Sequence, residues 1–572
     1  MLIRSFVSLL VCAGALGAQA PDLIVHNAKV VTVDARFRMA QAIAVAGDRL
    51  VAVGSNAEVL GKKGPNTRVM DAGGKTVLPG LMDSHVHATS ASMYEFDHEI
   101  PTMETIADVL RYLKSRTAVV PKGEWIRLSQ VFITRLREQR YPTRAELDSV
   151  APDHPVIFAT GPDASLNTMA LQKSGITKDT PQPSGRPGKI ELDPRTGEPT
   201  GILRSASQFV KAPSRGGTAG QADRLKRLKM LLADYNSVGL TSVADRDASD
   251  SEVELYRALR QQNELTCRVF LNYHVEPAQA WEKVEAQILK AAKDPLHKYD
   301  QWLWLRGLKA YMDGGMLTGS AYMREPWGLS KIYGIADPNY RGMLYIQPEP
   351  LYRAVRLALQ NELQFTAHSQ GDGAVHALIA AYERVNKEFS VRPQRPCITH
   401  SSFMSPEAIE KMRELGVVAD LQPAWLERDG ATLQAHFGNA RLRYFHPYKS
   451  LFEAGVTVGG GSDHMQKVGS MRAINPYNPF YGMWVTLARQ PRNAQSSLHP
   501  EERITREQAI RLYTINNAFL MFGEKEKGSL EVGKLADFIV LQQDILTCPL
   551  DQVKSVQVAQ TWVGGTKVYE AK

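Results

Sequence analysis

Thr76-Val77-Leu78-Pro79-Gly80-Leu81-Met82-Asp83-Ser84-His85-Val86-His87 is the stretch on which the reading of this chain turns. It reads as a short buried strand, a Pro-Gly break and a polar strand end. Alternate residues of a strand share a face, so the imidazoles of His85 and His87 point the same way and can share one metal ion. Alone, such a pair is two ordinary strand histidines. Here four further candidates, Lys309, His368, His400 and Asp463, each close a β-rich run elsewhere in the chain.

Outward from the pair, the β-rich runs are 240–245, 267–272, 305–311, 363–368, 396–400, 417–422 and 456–460, separated by helical patterns. With the strand before His85 they make eight. Strands alternating with helices predict a parallel sheet, and eight such units predict an α/β fold of the (β/α)8 or TIM-barrel type. Active sites of such barrels lie at the C-terminal ends of the strands, where every candidate sits. Helix punctuation agrees. Ser405-Pro406 starts a helix that ends before Gly416, and Thr505 with Gln508 forms a capping box on a helix that Gly523 can end.

Residues 22–79 and 528–572 are made of short β-like runs between turn residues. The two ends are expected to form one composite β-sandwich, 21–79 with 524–572, beside a barrel domain of 80–523. The stretch from about 118 to 230 breaks the barrel rhythm, is rich in Pro and Gly over 181–201, and reads as an insertion.

The chain has 572 residues, 44% hydrophobic and 22% charged, as in ordinary globular proteins of more than one lobe. The net charge of +8 comes from scattered lysines and arginines, which argues against a nucleic-acid groove. Arg4, the apolar run 6–16 and Gly17-Ala18-Gln19-Ala20 form a signal-peptide pattern over 1–20, with cleavage after Ala20 or Gly17. The expectation is a secreted or periplasmic protein with no membrane anchor once the signal is removed. Cys267, Cys397 and Cys548 then remain, too few and too scattered for a disulfide framework or a metal knuckle.

Taken together, these motifs resemble the amidohydrolase superfamily, in its amidohydrolase-3 or YtcJ-like branch. The matching text includes 77–87, Leu308-Lys309-Ala310-Tyr311-Met312-Asp313-Gly314, His368-Ser369-Gln370-Gly371-Asp372, Gly461-Ser462-Asp463 and the tail 528–537. The resemblance implies a metal-dependent hydrolase of carbon–nitrogen bonds other than peptide bonds. His85, His87 and Asp463 would hold one divalent metal, with Asp463 also the general base. His368 and His400 would hold a second, and a carbamylated Lys309 would bridge the two. One or two zinc ions are expected, with a small-molecule substrate and no nucleic acid as partner; a homo-oligomer is left open. Ester, lactone or carbamate hydrolysis on the same site stays open, as does a non-catalytic binding role. The chain departs from the resemblance at Thr399, where relatives carry Glu, and at Asp163, near where they carry His. Tyr94, Phe96, Tyr322, Trp327 and Trp425 follow strand ends and are either pocket or core aromatics. His464 is expected to point away from Asp463 if the local chain is extended, and His98, His274, His376 and His446 to play supporting or surface roles.

Overall fold

The computed structural model of the chain describes residues 20–129, 131–183, 188–213 and 219–572. Apart from Ala20, the expected signal segment lies outside the described residues. Eight parallel strands form the centre: β1 (Leu81–Val86), β2 (Leu240–Ala248), β3 (Arg268–His274), β4 (Leu303–Tyr311), β5 (Gln364–Ser369), β6 (Cys397–His400), β7 (Val418–Leu421) and β8 (Val458–Gly460). Each pairs with its neighbour in chain order. The ring closes just past β8, where Val86 bridges His464 in parallel and the His87 N–H donates to the His464 carbonyl at 2.8 Å. The expected barrel is therefore present. Its strands are buried on both faces, which is why they read as apolar runs rather than as alternating patterns.

The Pro79-Gly80 break is where the chain changes sheets. Thr76–Pro79 pairs antiparallel with Phe538–Leu541, and Leu81 then enters the barrel. A Cβ on Gly80 would lie 2.2 Å from the Thr241 Oγ1, so β2 can approach only a glycine here. The chain ends build two sheets. One has the order Arg49–Gly54, Ala42–Ala46, Leu23–His26, Arg68–Asp71. The other runs Thr566–Glu570, Val558–Val563, Phe538–Leu541, Thr76–Pro79, Lys29–Val31, Met39–Ala40, mixing both ends of the chain. Val25, Ile43 and Leu50 of the first share a core with Val77, Phe538 and Trp562 of the second. At the foot of β3, Arg268 makes a buried two-pronged ion pair with Asp537, at 2.7 and 2.8 Å, tying barrel to sheet.

The expected insertion holds a five-stranded sheet of Lys189–Leu192, Pro199–Arg204, Asp163–Leu166, Val156–Thr160 and Ile126–Ser129. Its limits differ from 118–230. The helix Ile106–Thr117 packs Ile106, Val109 and Leu113 against this sheet, whereas the helix Gln221–Ser237 buries Leu228, Leu231, Leu232 and Tyr235 in the barrel core. The helix expected to end at Gly523 is broken at Thr514 into Arg506–Leu512 and Ile515–Leu520. Among the described residues no helix is long and apolar enough to cross a membrane.

Candidate metal centre and active site

His85 lies on β1 and is fully buried; His87 follows the strand end as the cap of the helix Ala88–Met93. Asp463 follows β8. The His85 and His87 Nε2 atoms stand 3.3 Å apart, and the Asp463 Oδ1 lies 3.4 Å from the first and 3.3 Å from the second. Among the His, Cys, Asp and Glu side chains of the described residues, these form the only group of three or more whose ligand atoms all lie within 4.8 Å of one another. The buried Asp83 carboxyl fixes their spacing. One of its oxygens accepts the N–H of His85 at 2.9 Å and of Ser462 at 3.0 Å, clamping β1 to the end of β8, and burial pushes its pKa up to about 7.

Three histidines are each anchored through one nitrogen. His85 Nδ1 faces Asp420 at 3.2 Å, and that carboxylate is held by the Ser84 hydroxyl at 2.6 Å and by Arg246 Nε at 3.1 Å. His400 Nδ1 meets Gln422 Oε1 at 2.7 Å, and His368 Nε2 meets the Gly314 carbonyl at 3.3 Å. For His400 and His368 the acceptor on one ring nitrogen puts the proton there and leaves the lone pair on the other, which is how metal-binding imidazoles are held. The chemistry of this donor set, imidazoles gathered beside a carboxylate, fits a divalent transition metal. Burial drives the pKa of His85 and His400 well down, and that of His368 to about 3, so all three stay in the neutral, ligating form.

His368 and His400 stand next to the trio without joining it. Their ring centroids are 4.5 Å apart, and the His400 ring stacks 5.1 Å from that of His85. Lys309, on β4, is 1% exposed, with its Nζ 4.6 Å from the Tyr311 ring. Burial lowers its pKa, which favours the free amine. Backbone strain gathers at the same end of the barrel. Asp247, His400 and Asp463 hold φ of 81°, 77° and 55°, values that cost energy for residues with a Cβ and tend to mark functional sites.

A cavity of about 710 Å³ opens above these groups, lined in part by His87, Lys309, His368, His400 and Asp463. Of the five aromatics singled out in the sequence, Trp425 lines it, stacked 4.8 Å from His400. Tyr94 lines an adjoining cleft, while Trp327 is buried elsewhere with its indole N–H on the Ala321 carbonyl. His464 does turn away, bonded to Tyr235 and to the carbonyls of Gln466 and Lys467. His274 does not recede to the surface: it lines the cavity beside Asp247 and Tyr311. The two departures lie off the metal ligands. Thr399 pairs with Thr366 at 2.7 Å, and Asp163 is buried in the insertion, accepting from the Tyr141 hydroxyl and the Ser205 N–H. Asp420, Gln422, Asp247 and Tyr311 were not singled out. Their signal was polar residues two apart in an apolar run, as in Asp420-Leu421-Gln422, or two on from Lys309.

The model of the amidohydrolase family matches residues 68–569. An N-substituted formamide deformylase of Arthrobacter pascens is 30% identical over 96% of this chain and 99% of its own length. The YtcJ protein of Bacillus subtilis is 26% identical over 88% of this chain and 91% of its own. Among solved structures, an uncharacterized metal-dependent hydrolase from Pyrococcus furiosus superposes with a TM-score of 0.65 at 20% identity, covering 92% of this chain and all of that one.

Proposed function

This chain belongs to the amidohydrolase family, and from that premise we propose that it is a metal-dependent hydrolase cleaving a non-peptide carbon–nitrogen bond of a small amide. The observation that carries the reading is the convergence of His85, His87 and Asp463, the last two lining the cavity and the first buried behind them at 3.2 Å from Asp420. His85, His87 and Asp463 would hold one divalent metal, zinc by ligand type, and His368 and His400 would serve a second. Lys309, buried and favoured as a free amine, would add CO₂ to give an anionic carbamate that ligates both, with release of one proton. Metal bound there supplies Lewis acidity and a nucleophilic water near neutral pH.

The chain's own groups do the rest. Asp463 accepts the proton of the attacking water and returns it to the leaving nitrogen as the C–N bond breaks. Gln422 and the Gly314 carbonyl keep the His400 and His368 imidazoles in one tautomer throughout. Phe132, Tyr345 and Trp425 offer an apolar wall for the substituent of the substrate. The 30% identical relative is named for acting on N-substituted formamides, so that class heads the panel. The test is amine release from N-substituted formamides, acetamides and carbamates, with esters and lactones alongside. Turnover of an amide supports the reading, and turnover confined to esters or lactones overturns it.

A further inference from the structure

At one side of the cavity β2, β3 and β4 end in a polar trio that the proposed metal ligands do not require. His274, the last residue of β3, holds its Nδ1 2.6 Å from Asp247 Oδ1. The Tyr311 hydroxyl donates to Asp247 Oδ2 at 2.7 Å. A carboxylate set between two donors puts a proton on His274 Nδ1, and in that tautomer the lone pair lies on Nε2. That atom has no hydrogen-bond partner among the described residues. The ring nevertheless lines the cavity, its side chain 38% exposed. His274 stands in register with Lys309 across the β3–β4 pair, and the Tyr311 ring lies 5.5 Å from that of His368. Asp247 reaches its position only in the left-handed region, at φ 81°. Strain of this kind persists where surrounding structure imposes it, and here it delivers a carboxylate that orients one imidazole.

We propose that His274 Nε2 accepts the N–H of the substrate amide, so that the site selects secondary, N-monosubstituted amides over tertiary amides and over esters. The inference rests on the amide-hydrolase reading above. In it His274 touches the substrate, while Asp247 and Tyr311 are positioning residues that act through it. A site built to meet an N–H discriminates against analogues that lack one, because its acceptor is then desolvated without a partner.

The test uses three matched substrates, N-benzylformamide, N-benzyl-N-methylformamide and benzyl formate. They are measured on the parent enzyme and on His274→Ala, His274→Gln, Tyr311→Phe and the Tyr311→Phe, His274→Ala double variant, with metal content determined for each. The expected parent preference for the secondary over the tertiary amide drops about tenfold in kcat/KM in His274→Ala, the scale of one hydrogen bond left unmade. His274→Gln, whose amide oxygen can accept the same N–H, keeps part of the preference. Tyr311→Phe reduces it in the parent and changes nothing further in the His274→Ala background. An unchanged preference in His274→Ala with metal intact overturns the inference, and so does loss of metal from that variant, which would make the ring a structural prop. A parent that cleaves only the ester, or none of the three, overturns the amide reading itself and this inference with it.

Discussion

Lys309 is the residue whose surroundings say most about its role. An ammonium with 1% exposure beside four imidazoles has no counter-ion at ion-pair distance among the described residues, a costly arrangement that a carbamate would resolve. Partners that merely support metal ligands are worth about 10- to 100-fold in metal affinity or activity, and a ligand shared by two metals should be worth at least that. Lys309→Ala should therefore lose at least about 100-fold in turnover, with partial rescue by short carboxylic acids. Lys309→Arg should fail equally, because guanidinium forms no carbamate; a fully active Lys309→Arg would remove the bridge. At this scale the sequence was informative where a residue type is chemically marked. His85-x-His87 and the strand-end His368, His400 and Asp463 stood out. Asp420 and Gln422 did not, because a polar residue in a buried run has a dozen ordinary uses until its partner across the barrel is known. His274 was set aside for the same reason: its meaning comes from Asp247 on the neighbouring strand.

The elements of the barrel were legible because burial on both faces leaves a continuous apolar run that ends where the active face begins. All eight runs became strands, with ends shifted by up to three residues. Less legible was which body a helix joins. The helices Ile106–Thr117 and Gln221–Ser237 are both amphipathic, and nothing in a 3.6-residue period says whether the buried stripe meets the insertion or the barrel. The seam between β8 and β1 is where element geometry meets chemistry. A Cβ on Gly461 would lie 2.8 Å from Ser84 Oγ and 2.9 Å from both His85 Cβ and the His85 nitrogen. Backbone cannot yield as a side chain tip does. Gly461→Ala should cost about 1–3 kcal/mol through overpacking, and it should lower metal occupancy by pushing His85 away from Asp463. Denaturant melts paired with elemental analysis check both, and unchanged occupancy would show that this seam does not set the ligand spacing.

At the scale of the whole molecule, the sheet built from the chain ends meets the feet of β1 to β3, the helix Ile515–Leu520 packs under the barrel, and the insertion reaches the opposite face. The turn Thr160-Gly161-Pro162 of the insertion lines the cavity above the metal-binding side chains. The pairing of the ends was anticipated from their similar β-like composition. The interleaving of their strands, Thr76–Pro79 between Phe538–Leu541 and Lys29–Val31, was not, since strand order depends on contacts hundreds of residues apart in sequence. The central claim joins these scales: a barrel built to bring His85, His87 and Asp463 to one point does so to hold a metal that hydrolysis needs. The most direct measurement is elemental analysis of protein purified without chelator, followed by turnover of the best amide before chelation, after it, and after metal is restored. The expected result is one to two equivalents of transition metal, predominantly zinc, with activity lost on chelation and recovered on reconstitution. Metal-free protein with activity unchanged by prolonged chelation would contradict it.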